Sequence, residues 1–380
     1  MFFLPLVIEK CYLEIEIKMS CRNVTFQVTS TSGDQISLPL TLTNYGCKSD
    51  YIVYCNSYIS NPCITIVAPN NIFYALSGSG NQLLTYANNT LIETRDITGV
   101  LSTQTLIGID FRPATGQLYL LANGTTGAQL YTLDLSNNCQ VAATAIGGLL
   151  RTDIGTIIVL NGRTSINFNP VADRLRVITT TGQNFRVNPD TGVTIVDGNL
   201  LLNGSTPSIG AIAYTNNQAG AASTVLYGID TQLKNLVIIN PPNTGTVTTV
   251  GSLGVNFTDI QGFDIQTVGT TNTASAIFLS NNVSGLYNIN LTTGAATLVR
   301  RISCCSLAIK DFSYAPVTAT DVSNLAVTLY RNGDAVLVSN GINCGYCCRV
   351  AICSCDELTA TLSGTAPIPR FVVATLSFSV

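Results

Sequence analysis

Histidine and tryptophan are both absent from this 380-residue chain, so aspartate and cysteine are the residue types left to carry chemistry. Five short apolar segments, "IDF", "INF", "IAY", "FDI" and "KDF", place Asp110, Asn167, Ala213, Asp264 and Asp311 at one shared position. Carboxylates that recur in a repeat can converge on one axis and bind a cation or a polar ligand. They can equally act as buried acceptors that tie the backbone N–H groups of the neighbouring repeat. Ala213 interrupts the series and Asn167 removes a charge from it, so the tying role is the one expected. No two carboxylates stand apart from the pattern as an acid and base pair. The missing imidazole also excludes the usual triads and every His-ligated metal site. The expectation is therefore no catalytic residue, no cofactor and no enzyme.

The chain has 13 cysteines, placed unevenly. Cys11, Cys21, Cys47, Cys55 and Cys63 lie near one end, and Cys139 stands alone. Cys304 and Cys305 are adjacent, and Cys344, Cys347, Cys348, Cys353 and Cys355 crowd the other end. Such density suits an oxidising compartment and disulfides. The odd count leaves at least one thiol free or paired with another chain. The zinc alternative rests on "CGYCC", which has one correct Cys-x-x-Cys half, followed by "CSC", which has the wrong spacing. No metal is expected. The vicinal pairs should bond elsewhere rather than internally, because adjacent residues strain disulfide geometry. Candidate glycosylation acceptors are Asn23, Asn88, Asn123, Asn203, Asn256, Asn282 and Asn290, a number near chance in a chain so rich in Asn, Ser and Thr.

Charged residues make up only 10% of the chain, against about 25% in ordinary globular proteins. The net charge of −3 gives no basic surface for nucleic acid. No apolar run of membrane-spanning length occurs. "MFFLPLVIEKCYLEIEIKMS" lacks the basic start and cleavage site of a signal peptide. Its Cys11, Leu13, Ile15 and Ile17 instead alternate with polar residues as in a half-buried strand. Translation from Met19 is the alternative start.

The elements that must position these residues are repeated. "GIDFRPATGQLYLLANGTTGAQLYTLDLSNN" and "SINFNPVADRLRVITTTGQNFRVNPDTG" share one plan of strand, Pro turn, strand, Gly turn and strand. The plan recurs over Ile212–Gly251 and Gly262–Val299. Thr191-Gly192, Thr244-Gly245 and Thr293-Gly294 mark turns that need φ > 0. Asp190 belongs to the first of these and is read as a turn residue before it is read as a ligand contact. Four strands per unit is the signature of propeller blades. Asn70–Val100 supplies three strands without a first, and Ala308–Pro316 supplies a first strand without the rest. Together they would close a five-bladed ring. Six blades is the alternative if Asp153–Leu160 adds its own.

"IGIDFRPATGQLYLL", "INFNPVADRLRVITTTGQNFRVNPDTG" and "LYGIDTQLKNLVIINPPNTGTVTTVG" resemble an uncharacterised family of bacterial secreted propellers, a domain of unknown function, over about residues 72–316. The resemblance implies a propeller fold and an extracellular setting. It carries over no site residues.

The ends are also β-like but do not follow the blade plan. Asn332-Gly333 between two alternating runs marks a hairpin. The expected fold is all-β: a propeller (70–316) inserted in a discontinuous Cys-rich β-sandwich made by an N-terminal segment (1–69) and a C-terminal segment (317–380). The expected function is an extracellular structural subunit, at a cell or spore surface, that polymerises with itself through its terminal segments. The strand over residues 11–18 or that over 370–380 would be donated to the next subunit. The alternative is a secreted binding module that recognises a glycan or surface protein with its propeller loops.

Overall fold

The structure is a computed structural model. It describes residues 72–78, 81–87, 89–136, 140–302 and 309–316, and in the two terminal segments the backbone of a set of strands. Among the described residues every regular element is a strand, and no helix is long and apolar enough to cross a membrane.

The first strands are β1 (Leu6–Ile8), β2 (Cys11–Leu13), β3 (Ile15–Ser20), β4 (Asn23–Thr29), β5 (Ile36–Thr41) and β6 (Tyr58–Val67). Next come β7 (Ile72–Ser77), β8 (Gln82–Ala87), β9 (Thr90–Thr98), β10 (Gln104–Arg112), β11 (Gln117–Gly124), β12 (Gly127–Asp134) and β13 (Gln140–Leu149). Then follow β14 (Thr164–Asn169), β15 (Arg174–Thr179), β16 (Asn184–Val187), β17 (Thr194–Val196), β18 (Ile209–Tyr214), β19 (Leu226–Asp230), β20 (Asn235–Ile239) and β21 (Val247–Ser252). The central series ends with β22 (Asp259–Val268), β23 (Thr271–Ser280), β24 (Val283–Ile289), β25 (Ala296–Ile302) and β26 (Ile309–Tyr314). The last strands are β27 (Leu325–Arg331), β28 (Asp334–Asn340), β29 (Val350–Ala351), β30 (Glu357–Gly364) and β31 (Val373–Ser379).

The chain divides into two units, one of residues 1–70 with 318–380 and one of 71–317. In the second unit β14–β17, β18–β21 and β22–β25 are four-stranded antiparallel meanders. So are β10–β13 and the set β26-β7-β8-β9, which a short parallel pairing of β13 with β9 joins into one eight-stranded sheet. Tyr314 stands opposite Phe73 and Phe312 opposite Ala75, which is the closing pairing that the sequence led us to expect. The innermost strands β26, β10, β14, β18 and β22 touch in cyclic order. The arrangement is propeller-like. Asp153–Leu160 forms no strand, only an isolated bridge from Arg151 to Ile157.

Apolar side chains on both faces of these short strands explain the ring. A sheet with two apolar faces must be covered on both sides. Phe168, fully buried, packs with Leu175 and Val177 of its own sheet against Tyr119, Leu121 and Leu130 of the preceding one. Phe278, Phe263 and Ile265 pack likewise against Ala211, Ile229 and Leu236. At the closure Phe73 stacks on Tyr86 at 4.6 Å and meets Phe312 edge-on at 5.4 Å. The Thr-Gly turns are as expected, with Gly192, Gly245 and Gly294 at φ 76°, 73° and 83°. Gly245 lies against the Asn199 carbonyl of the sheet before it, where a Cβ would collide.

In the first unit β28-β27-β30-β5 form one sheet and β29-β6-β31-β4-β3 another. Arg331 faces Asp334 across the Asn332-Gly333 turn. Two expectations need correction. The segment 11–18 is not one strand: β2 pairs with β1, and β3 pairs with β4. The segment 370–380 is not available for donation here. Its strand β31 is bonded to β4 on one edge and β6 on the other, so both rows of backbone groups are already paired within the chain. Cys11 and Cys63 lie on described backbone, in β2 and β6. The other cysteines, and with them the disulfide expectations, lie outside the described residues.

Candidate functional site

The repeated first-strand position lines the inside of the ring. Asp110 is fully buried, and its Oδ2 accepts from Phe168 N at 2.6 Å. Asn167 Oδ1 accepts from Tyr214 N at 2.8 Å, and Asp264 Oδ2 accepts from Tyr314 N at 2.7 Å. Each side chain thus binds the backbone of the next sheet one residue beyond the equivalent position. Ala213 has no acceptor to offer, and the N–H it leaves unserved, that of Ile265, turns to Asp264 Oδ1 at 2.8 Å. One aspartate therefore covers two positions of the ring.

The alignment that placed Asp311 in this series needs correction. Ser313 occupies the position, since Phe111 N donates to its Oγ at 3.4 Å. Asp311 lies two residues earlier, where its Oδ2 accepts from Ile109 N at 3.0 Å. There it fits beside Gly108 and Gly262, at either of which a Cβ would meet its carboxylate. The shared dipeptide Asp-Phe misled the alignment. The better marker was proline three residues on, as in Asp110/Pro113, Asn167/Pro170 and Ser313/Pro316.

Burial favours the protonated form of these carboxyls. Burial pushes Asp110 well above the usual carboxylate range, and the charge of Asp264 adds to it. Burial raises Asp264 to about 6 and Asp311 to about 8, against the hydrogen bonds they accept. The geometry agrees. Ser313 Oγ lies 2.9 Å from Asp110 Oδ1 and 3.2 Å from Asp264 Oδ2. A hydroxyl has one proton to donate, so with both carboxyls ionised two negative oxygens would crowd that single donor. The cavity at the mouth of the axis, between Phe111, Asn217, Gln266 and Tyr314, holds only about 20 Å³. That is room for a water rather than a ligand. Among the described residues no three His, Cys, Asp or Glu side chains are placed to hold a metal ion.

Asp190 is a turn residue, its N–H on Asn188 Oδ1 at 2.9 Å. It is also an ion-pair partner, which the sequence did not reveal. Arg112 binds Asp190 at 2.6 Å and both oxygens of Asp173, at 2.8 and 2.5 Å. A second arginine cluster lies in the neighbouring meander. Arg176, 2% exposed, reaches Asp197 at 2.6 Å, Asn184 at 2.8 Å and Asn243 at 2.7 Å. Arg186 holds the same Asp197 through both oxygens, at 2.7 and 2.8 Å.

Of the candidate glycosylation acceptors, Asn203, Asn256, Asn282 and Asn290 are exposed, Asn203 and Asn282 at positive φ. Asn123 is half-buried, and its amide donates to the Leu160 carbonyl at 3.4 Å. The side chains of Asn23 and Asn88 lie outside the described residues.

A ring of antiparallel four-stranded sheets tied through buried axial side chains defines an all-β, propeller-like protein. The chain belongs to the family described as Domain of unknown function (DUF4394), which matches residues 82–313. No curated protein matches it. Among solved structures, a protein of unknown function from Bacteroides thetaiotaomicron is 13% identical, with 95% of this chain and 90% of that one covered and a TM-score of 0.39. An exo-beta-1,3-galactanase from Phanerochaete chrysosporium is 9% identical, with 93% and 99% covered and a TM-score of 0.40. The major Malassezia sympodialis allergen Mala s 1 is 11% identical, with 81% and 96% covered and a TM-score of 0.36.

Proposed function

We propose that the protein is an extracellular structural subunit, at a cell or spore surface, that assembles with itself and uses a five-bladed propeller as a rigid body. The first and second units would form a propeller inserted in a discontinuous Cys-rich sandwich. The observation that carries the reading is the hairpin β1–β2, whose strands pair only with each other among the described strands. The same unit leaves β3 and β29 at the edges of one sheet and β28 and β5 at the edges of the other. A short hairpin and open sheet edges within one unit supply a donor and an acceptor for strand addition. Such a head-to-tail contact yields a filament unless its rotation closes a ring. The propeller supports a scaffold role as well, because its axial carboxyls are engaged in blade-to-blade bonds. The test is assembly of the full chain beside a chain lacking residues 1–13. Filaments from the first and soluble monomers from the second are expected, and equal assembly by both would refute the mechanism.

A further inference from the structure

A cavity of about 150 Å³ lies between the β14–β17 and β18–β21 sheets, lined by Asn169, Ala172, Arg174, Arg176, Arg186, Tyr214, Pro242 and Asn243. Three of its lining residues are arginines and none is a carboxylate. Its geometry follows from the strand register. Arg176 stands directly opposite Arg186, and Arg174 lies two residues away on the same face. Like charges set opposite each other destabilise a sheet unless something offsets them. Asp197, behind the two, offsets one charge of that pair.

The donors left over are specific. The bonds of Arg186 to Asp197 run through Nε and Nη2, so its Nη1 edge stays available. Arg174 donates from Nη1 to the Asp173 carbonyl at 2.8 Å, and the Asp173 carboxylate itself is gripped by Arg112. Arg174 therefore presents a guanidinium whose bonded partner is a backbone carbonyl rather than a carboxylate, and Arg186, paired with Asp197 through Nε and Nη2, adds its Nη1 edge. Arg176 is held rigid beneath them by Tyr214, Asn184, Asp197 and Asn243. Guanidinium pairs of this kind bind a carboxylate through parallel N–H donors.

We propose that this cavity is a binding site for one carboxylate-bearing sugar ring, a uronate. A cavity of about 150 Å³ is the size that takes a single six-membered ring. Tyr214, Pro242 and Ala172 give the ring an apolar wall, Asn169 and Asn243 give polar partners for its hydroxyls, and the arginines take the acid. The site is independent of strand donation, so either reading can fail without the other.

The test is isothermal titration of the full-length protein with glucuronate, with a galacturonate oligomer, with glucose and with sulfate, each at low and physiological ionic strength. Binding of glucuronate that weakens with salt is expected, and the oligomer shows whether the sugar is taken free or from a chain. Arg174→Gln should weaken it at least about tenfold, the scale of one lost charge-assisted interaction. Ala172→Phe, at an exposed position on the cavity wall, should block it by volume. Thermal unfolding of both variants checks that the fold is intact. The proposal is overturned if neither uronate binds, if glucose or sulfate binds as tightly as glucuronate, or if both folded variants bind like the parent.

Discussion

Asp311→Asn should flatten the pH dependence of stability, and should stabilise the protein at alkaline pH. Asp311 is 9% exposed and lies between Gly108 and Gly262 with one oxygen on Ile109 N. Burial raises its pKa from 3.8 to about 8 on folding. The folded state therefore holds the proton more tightly than the unfolded chain does. The stabilising contribution is complete below pH 4 and is lost as pH rises through 8, at about 1.4 kcal/mol per pH unit. Across that window Asp311 removes on the order of 6 kcal/mol, and Asp264, raised to about 6, removes about 3 kcal/mol more. Asparagine has the shape of the protonated acid and keeps an acceptor for Ile109 N. The variant should match the parent near pH 4 and exceed it by several kcal/mol at pH 8. Urea unfolding followed by tyrosine fluorescence, at pH 4.5, about 6 and 8, measures this. A parent whose stability rises with pH over this range, or a variant that tracks the parent, would refute the burial-raised pKa of Asp311.

Phe168→Ala empties a fully buried site between two sheets, where the ring meets Tyr119 edge-on at 5.0 Å, and should cost about 3–5 kcal/mol in the same assay. Gly245→Ala places a Cβ at φ 73° against the Asn199 carbonyl and should cost about 2 kcal/mol. The same change at the exposed Gly220, which has open space around it, should cost only its φ penalty, about 1 kcal/mol.

The parts of this structure that were legible in the sequence are the periodic ones. Strand alternation, the Thr-Gly turns and the Asn332-Gly333 hairpin are local signals, and the closing pair of β7 and β26 followed from counting strands. The tying role of Asp110 and Asn167 was legible because a repeat shows its inward positions together. Asp311 was misplaced because a two-residue likeness outweighed the proline spacing. Asp264 serving two sheets follows from Ala213, a side chain that is missing, and no pattern announces a missing acceptor. The arginine cavity was invisible for another reason. Its charges come from β15 and β16 and part of its wall from a turn near Asn243, which Arg176 meets across 67 residues. The donation of the 370–380 strand failed because alternation shows only that one face must be buried. It says nothing of whose strands do the pairing.

Electron microscopy of the full-length protein under oxidising conditions, beside a chain lacking residues 1–13, tests the central claim most directly. The account predicts regular filaments from the full chain and dispersed single particles from the truncated one, with the propeller folded in both. Monomers from the full chain at every concentration, or filaments unchanged by the deletion, would contradict it.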